Sequence, residues 1–385
     1  MPSTETMIKI VLYHILPLIA AILLGFSSVF HGSIYLIIAF LLVCPYLLHN
    51  YKVILRNEAF KGFFICVLVG SFANLLVTQN GIGGTINFLA AVGLTIYAVN
   101  NPRVVGYVAL ALCIYTICFV YYNIFYLNTD LNFIYEAAGL SKNYPGYLMV
   151  ICCCVWGYTK YIRNGQIPLV LPILCTIIAF FLDGRSSLGV MALMAGFCVF
   201  FQSRNHKLFS IAIGLALLYY IWDDLVYYYS FTNLSESGTD TSRYKIWSAY
   251  FGSLDIISFT LGLDTLNVPL LREYGGNPHN AFLNYHYRMG ILGTGALLYI
   301  IAKSVKILYK ERTFILLFFM GALLVRIFFD ACIGGPQDFL IFFLFWHPIL
   351  FQSNIKNLDS CIKKYDMRVK KKWYNRVINM IEKYI

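Results

Sequence analysis

Residues 104–126 read VVGYVALALCIYTICFVYYNIFY, a stretch with no charged side chain. As a helix rising about 1.5 Å per residue it is long enough to cross the roughly 30 Å of hydrocarbon in a bilayer. The rest of the chain follows the same plan. Apolar windows recur near 8–30, 33–50, 62–78, 85–99, 147–162, 167–182, 187–202, 208–223, 280–302, 313–330 and 338–352. Of the 385 residues, 59% are hydrophobic and 12% charged, and mean hydropathy is +0.70. Soluble domains carry about a quarter charged residues, so water is not the main solvent of this chain. The run 8–30 is too long for a signal-peptide core and lacks a small-residue cleavage site, so it reads as a retained first span. The expected fold is all-α, a polytopic integral membrane protein of about 12 transmembrane helices with short helices in a long outer loop. Residues 1–223 hold spans 1–9, 224–279 the loop, 280–352 spans 10–12 and 353–385 a basic tail.

Charge sets the orientation. With the N-terminus in the cytoplasm, 22 of the 29 Lys and Arg fall on the inner side. Only Lys142, Arg185, Arg243, Lys245, Arg272, Arg288 and Arg326 fall outside, the asymmetry of the positive-inside rule. Both termini are then cytoplasmic. The net charge of +11 belongs mainly to that face and is no nucleic-acid footprint. The tail after Ser353, basic with Val369, Trp373, Val377 and Met380 at helical spacing, reads as an interfacial helix on anionic lipid. The eleven cysteines lie mostly in apolar segments without metal-ligand spacing, so packing is the expected role. No metal and no cofactor is expected. Trp222-Asp223-Asp224 resembles a metal-binding acidic motif, but no second carboxylate cluster completes it. The tyrosines at 219, 220 and 227–229 fit either sugar stacking or an interfacial aromatic belt.

The outer loop from about Trp222 to His279 is long enough to demand a function of its own. Asp240-Thr241-Ser242 offers cap residues ahead of a helix that begins Arg243-Tyr244-Lys245. On it Arg243, Trp247 and Tyr250 share one face. That face suits a phosphate-bearing ligand, and it also suits an amphipathic helix bound to headgroups. Pro278 suits a helix start, which predicts His279 in the first turn, where an imidazole meets water and titrates near neutral pH. Asn280, Asn284 and Arg288 follow as a polar stripe that must face protein or a wet cavity. Gly290, Gly293 and Gly295 read as close-packing positions, and His286 reads as structural. Asp183-Gly184-Arg185-Ser186-Ser187 is wedged between two spans, where Arg185 needs an anionic partner. A diphosphate fits it better than the adjacent Asp183. Arg326 and Asp330, at i and i+4, can pair with each other.

Three features together resemble the O-antigen ligase and polymerase superfamily. They are Gly184-Arg185-Ser186-Ser187 opening a span, Ser242-Arg243 followed by Trp247, and His279-Asn280-x-x-Leu283 with Gly290-Ile291-x-Gly293. The resemblance is clearest over 182–297; the first half matches in hydropathy only. It implies a metal-independent membrane glycosyltransferase of the C type. Its substrates would be undecaprenyl-diphosphate-linked glycans at the periplasmic face of the bacterial inner membrane. Carried onto this chain, Arg185 and Arg243 would grip the diphosphate and His279 would be the general base. Asn280, Asn284, Arg288, Tyr244, Trp247 and Asp183 would line the substrate.

The chemistry has its own logic. A leaving diphosphate gains charge as the glycosidic bond breaks, so fixed guanidinium groups favour the transition state. The attacking sugar hydroxyl must lose a proton, which suits imidazole, and one direct displacement inverts the anomeric carbon. A polymerase would extend lipid-linked repeat units; a ligase would transfer the polymer to lipid A-core. The aromatic-rich loop favours the polymerase, for which a chain-length regulator is an expected partner beside the glycan substrates and membrane lipids. A flippase or other transporter is the non-enzyme reading. Related halves and midplane charges would mark it, and the sequence shows neither.

Overall fold

A computed structural model describes residues 7–8, 10–30, 33–49, 51, 56–75, 82–127, 143–182, 185–202, 242–330 and 337–352. Within them every regular element is helical and none is a strand. The helices are α1 (Leu16–Phe30), α2 (Ser33–His49), α3 (Glu58–Leu75), α4 (Ile82–Asn100), α5 (Pro102–Tyr121), α6 (Tyr144–Asn164) and α7 (Val170–Phe181). They continue as α8 (Arg185–Gln202), α9 (Ser242–Gly252), α10 (Ile256–Leu261), α11 (Pro269–Glu273), α12 (Ala281–Lys310), α13 (Phe314–Phe328) and α14 (Asp338–Leu350). Eleven of the twelve expected windows coincide with helices. The window 208–223, Asp183, the acidic and tyrosine motifs at 219–229 and the tail at 353–385 lie outside the described residues.

Among the described residues three helices are long and apolar enough to cross a membrane: Glu58–Leu75, Pro102–Ile124 and Ala281–Lys310, of 18, 23 and 30 residues. Several other apolar helices are shorter; α7 has 12 residues, about 18 Å of rise. The distribution of apolar side chains also points to lipid. Outward-facing Ile65, Val69 and Phe72 on α3 and Val170, Ile173, Leu174 and Ile177 on α7 are all exposed, a surface that a water-soluble monomer does not present.

The core centres on α14, in which every residue from Asp338 to Ile349 is buried, as expected of a helix apolar all round. It packs against α4, α12 and α6. Trp346 meets Phe60 at 4.6 Å and Phe63 at 5.4 Å between ring centroids, while Tyr158 Oη sits 3.1 Å from His347 Nδ1. Small residues bring the other helices close. Gly106 of α5 lies against Thr159 of α6, and Gly157 of α6 lies against the Phe319 ring of α13. α6 closes at Gly165, whose left-handed φ of 65° turns its N–H back to Tyr161 O at 2.8 Å.

Two expectations need correction. His279 is not in the first turn of α12: that helix begins at Ala281, Asn280 is its N-cap, and His279 has a φ of 49°. The capping strength of Asn280 sets this start. Its Oδ1 accepts from the N–H of Phe282 at 2.9 Å and of Leu283 at 3.2 Å. The polar stripe therefore starts outside the helix. The glycines also differ from one another. Gly290 (φ 62°, ψ −168°) breaks α12, and a Cβ there would meet Leu261 and the carbonyl of Thr260. Gly295 faces open space.

Candidate functional site

The loop from Gly252 to Asn280 folds back onto the start of α12 through backbone groups. Gly262, at φ 104°, leaves room for the Asn74 side chain. Asn74 Nδ2 donates to Leu261 O at 2.9 Å and to Tyr287 O at 2.7 Å. α9 lies across this loop with Ile246 and Tyr250 buried. The Trp247 indole N–H donates to Pro278 O at 2.9 Å, and its ring stands 5.6 Å from Phe328 at the end of α13. The face shared by Arg243, Trp247 and Tyr250 thus turns toward the segment that carries His279.

His286 is held on both sides. Its Nε2 lies 2.8 Å from Phe259 O and its Nδ1 lies 2.7 Å from Tyr250 Oη. A carbonyl only accepts, so Nε2 carries the proton and Nδ1 accepts from the tyrosine hydroxyl. Burial pushes the Tyr250 hydroxyl well above its ordinary range, which keeps it a donor. With both nitrogens engaged, His286 is a structural residue.

His279 stands in different surroundings. Its N–H donates to Asn277 Oδ1 at 2.8 Å, a side-chain turn that helps hold the left-handed backbone, and the Tyr274 ring packs edge-on at 5.9 Å. Burial pushes the imidazole below its usual value, the charge of Asp330 pulls it back up, and Arg243 pushes it further down. A guanidinium from α9 and a carboxylate just beyond α13 therefore act on one partly buried imidazole, kept neutral at physiological pH and fit to accept a proton.

Asp330 in turn leads to α8. Arg326 and Asp330 pair at 3.1 Å, as their spacing suggests. Arg326, fully buried, also donates from Nε to Ser187 Oγ at 3.1 Å and lies over the Tyr147 ring with Cζ 5.8 Å from its centroid. Its Nη1 has no hydrogen-bond partner among the described residues. Gln337 Nε2 donates to Tyr147 Oη at 2.7 Å. The starts of α6, α8, α12 and α14 and the end of α13 therefore meet at one end of the bundle. Arg185 opens α8 there, two residues before Ser187.

The other expected residues divide. Asn284 is buried, Arg288 lies half-exposed over the Tyr287 ring at 5.2 Å, and Tyr244 is exposed. Asn280 ties the loop to α13, donating to Phe328 O at 3.0 Å. Sequence reading did not connect the charge of Asp330 with His279, nor Ser187 with Arg326, and it missed Tyr147 and Gln337 altogether. The signal for Asp330 was a carboxylate at the end of an apolar span, read only as the partner of Arg326. One grouping offers soft metal ligands. Cys113, Cys153 and Cys175, from α5, α6 and α7, hold their Sγ atoms within 4.8 Å of one another. They lie within the apolar core and pack there as small groups. No family model, no curated protein and no solved structure matches the chain.

Proposed function

We propose that the chain is an O-antigen polymerase, a glycosyltransferase that joins undecaprenyl-diphosphate-linked repeat units at the periplasmic face of the bacterial inner membrane. In this reading the chain has about twelve spans, both termini are cytoplasmic and the architecture is of the C type. The observation that carries it is that the charges of Arg243 and Asp330, from two other elements, both act on the partly buried His279 imidazole, at the end of the bundle where Arg185 opens α8. His279 takes the proton of the acceptor hydroxyl as it attacks the anomeric carbon. Arg243 and Arg185 stabilise the charge that develops on the leaving diphosphate. Asp330 stabilises the imidazolium as it forms, and Arg326 holds that carboxylate in place. No step requires a metal.

The broken helix α12 favours a second reading, because interrupted helices line the substrate sites of many transporters. Here the break is filled by α10 and by the Asn74 amide, which points to a fixed support.

The surface-polysaccharide gel pattern of a strain lacking this chain tests the function. A single repeat unit on lipid A-core, with long chains restored by the intact chain and not by His279→Ala, is the expected result. Long polymer left on the lipid carrier would assign a ligase instead.

A further inference from the structure

α10 is built the wrong way round for a helix in water. Its six residues, Ile256-Ile257-Ser258-Phe259-Thr260-Leu261, include none that is buried. Ile256 is 86% exposed, Ile257 59% and Phe259 49%, and nearby Phe251 is 59% exposed. A helix this short does not persist alone, and what holds it is backbone. Asp255 caps its start in a reciprocal pair with Ser258. Its last carbonyls are engaged by Asn74 and His286, and Thr260 lies against Gly290. The main chain is anchored inward and the apolar side chains are left outside.

Its level in the bundle shows what meets them. α10 touches α3 through Asn74, one residue from the end of that helix, and touches α12 at Gly290. The charges of α3, Glu58 and Lys61, lie at its far end, and residues 62–75 carry none. In α12 the last charge before the contact is Arg288, and residues 289–302 carry none. Both charge-free belts, each about 21 Å long, therefore end at α10. Phe72, 61% exposed, and Leu292, 49% exposed, flank the two contact points. The outward face of α10 continues the apolar surface that these helices turn to lipid.

We propose that α10 is a membrane foot: Ile256, Ile257 and Phe259, with Phe251, enter the acyl chains of the leaflet at this end of the bundle. The foot fixes the height of the loop, so that α9 and Arg243 sit at the depth of lipid headgroups. The inference holds whether or not the chain transfers sugars.

Photo-crosslinking tests it. The full-length protein, with p-benzoylphenylalanine in place of Ile256, is reconstituted in vesicles of phosphatidylethanolamine and phosphatidylglycerol and irradiated. An adduct of phospholipid mass at position 256, absent when the probe replaces exposed Glu273, is expected. The same probe at Ile257 gives the same readout should the first variant fail to insert. A crosslinked dimer, which would assign the face to a second copy, or no lipid adduct at either position in inserted protein, would overturn the proposal.

Discussion

His279 occupies a backbone conformation that few residues other than glycine adopt, with φ 49°. Such strain is found where a side chain must be aimed. Replacing it by Gly removes about 1 kcal/mol of strain against a similar gain in unfolded-chain entropy. His279→Gly should therefore melt within a few degrees of the parent while transfer stops; turnover at the parental rate in the glycine variant would remove the base from the mechanism. Charge on this imidazole gives a second prediction. Burial lowers its proton affinity and Asp330 opposes that effect, so the acid limb of the rate lies below the usual histidine value of about 6.5. Asp330→Asn removes the opposing charge and should move that limb to still lower pH in a pH-rate profile. His286 should behave differently. Tyr250→Phe leaves its Nδ1 without the 2.7 Å bond and should cost about 1–3 kcal/mol in thermal unfolding with little change in turnover.

At the scale of the element, the break in α12 decides how the loop is seated. Gly290 combines a φ of 62° with close contact to Thr260 and Leu261, so an added Cβ is strained and also pushes α10 away. Gly290→Ala should lower stability by about 1–3 kcal/mol or more and release the loop to protease. Gly295 lies further along the same helix and faces open space, so Gly295→Ala should raise stability by about 0.5–1 kcal/mol through helix propensity and leave the loop as protected as in the parent. The sequence presents these glycines as equivalent packing positions, because spacing reports which residues are small and says nothing of the backbone angle each adopts. The same blindness put His279 inside the helix: Pro278 signals a start, but Asn280, two residues later, has the side chain that caps it.

For the whole molecule, hydropathy sufficed to locate eleven helices, because a bilayer admits few alternatives to a long apolar helix. The sequence also singled out Arg243 and His279, one behind a helix cap and one behind a proline, and in the structure the charge of the first acts on the imidazole of the second. Asp330 escaped because its tie to His279 joins positions far apart in the chain, a relation that only the packing of α13 beside α12 creates. The convergence of Cys113, Cys153 and Cys175 was equally invisible, each coming from a different helix. The central claim is bond formation between lipid-linked sugars, and the direct measurement is made on purified protein in proteoliposomes given a synthetic undecaprenyl-diphosphate-linked repeat unit with EDTA present. Longer lipid-linked glycans, one undecaprenyl diphosphate released per bond formed, and no product from His279→Ala are the predicted result. Movement of the intact lipid-linked unit across the bilayer with no new glycosidic bond would contradict it.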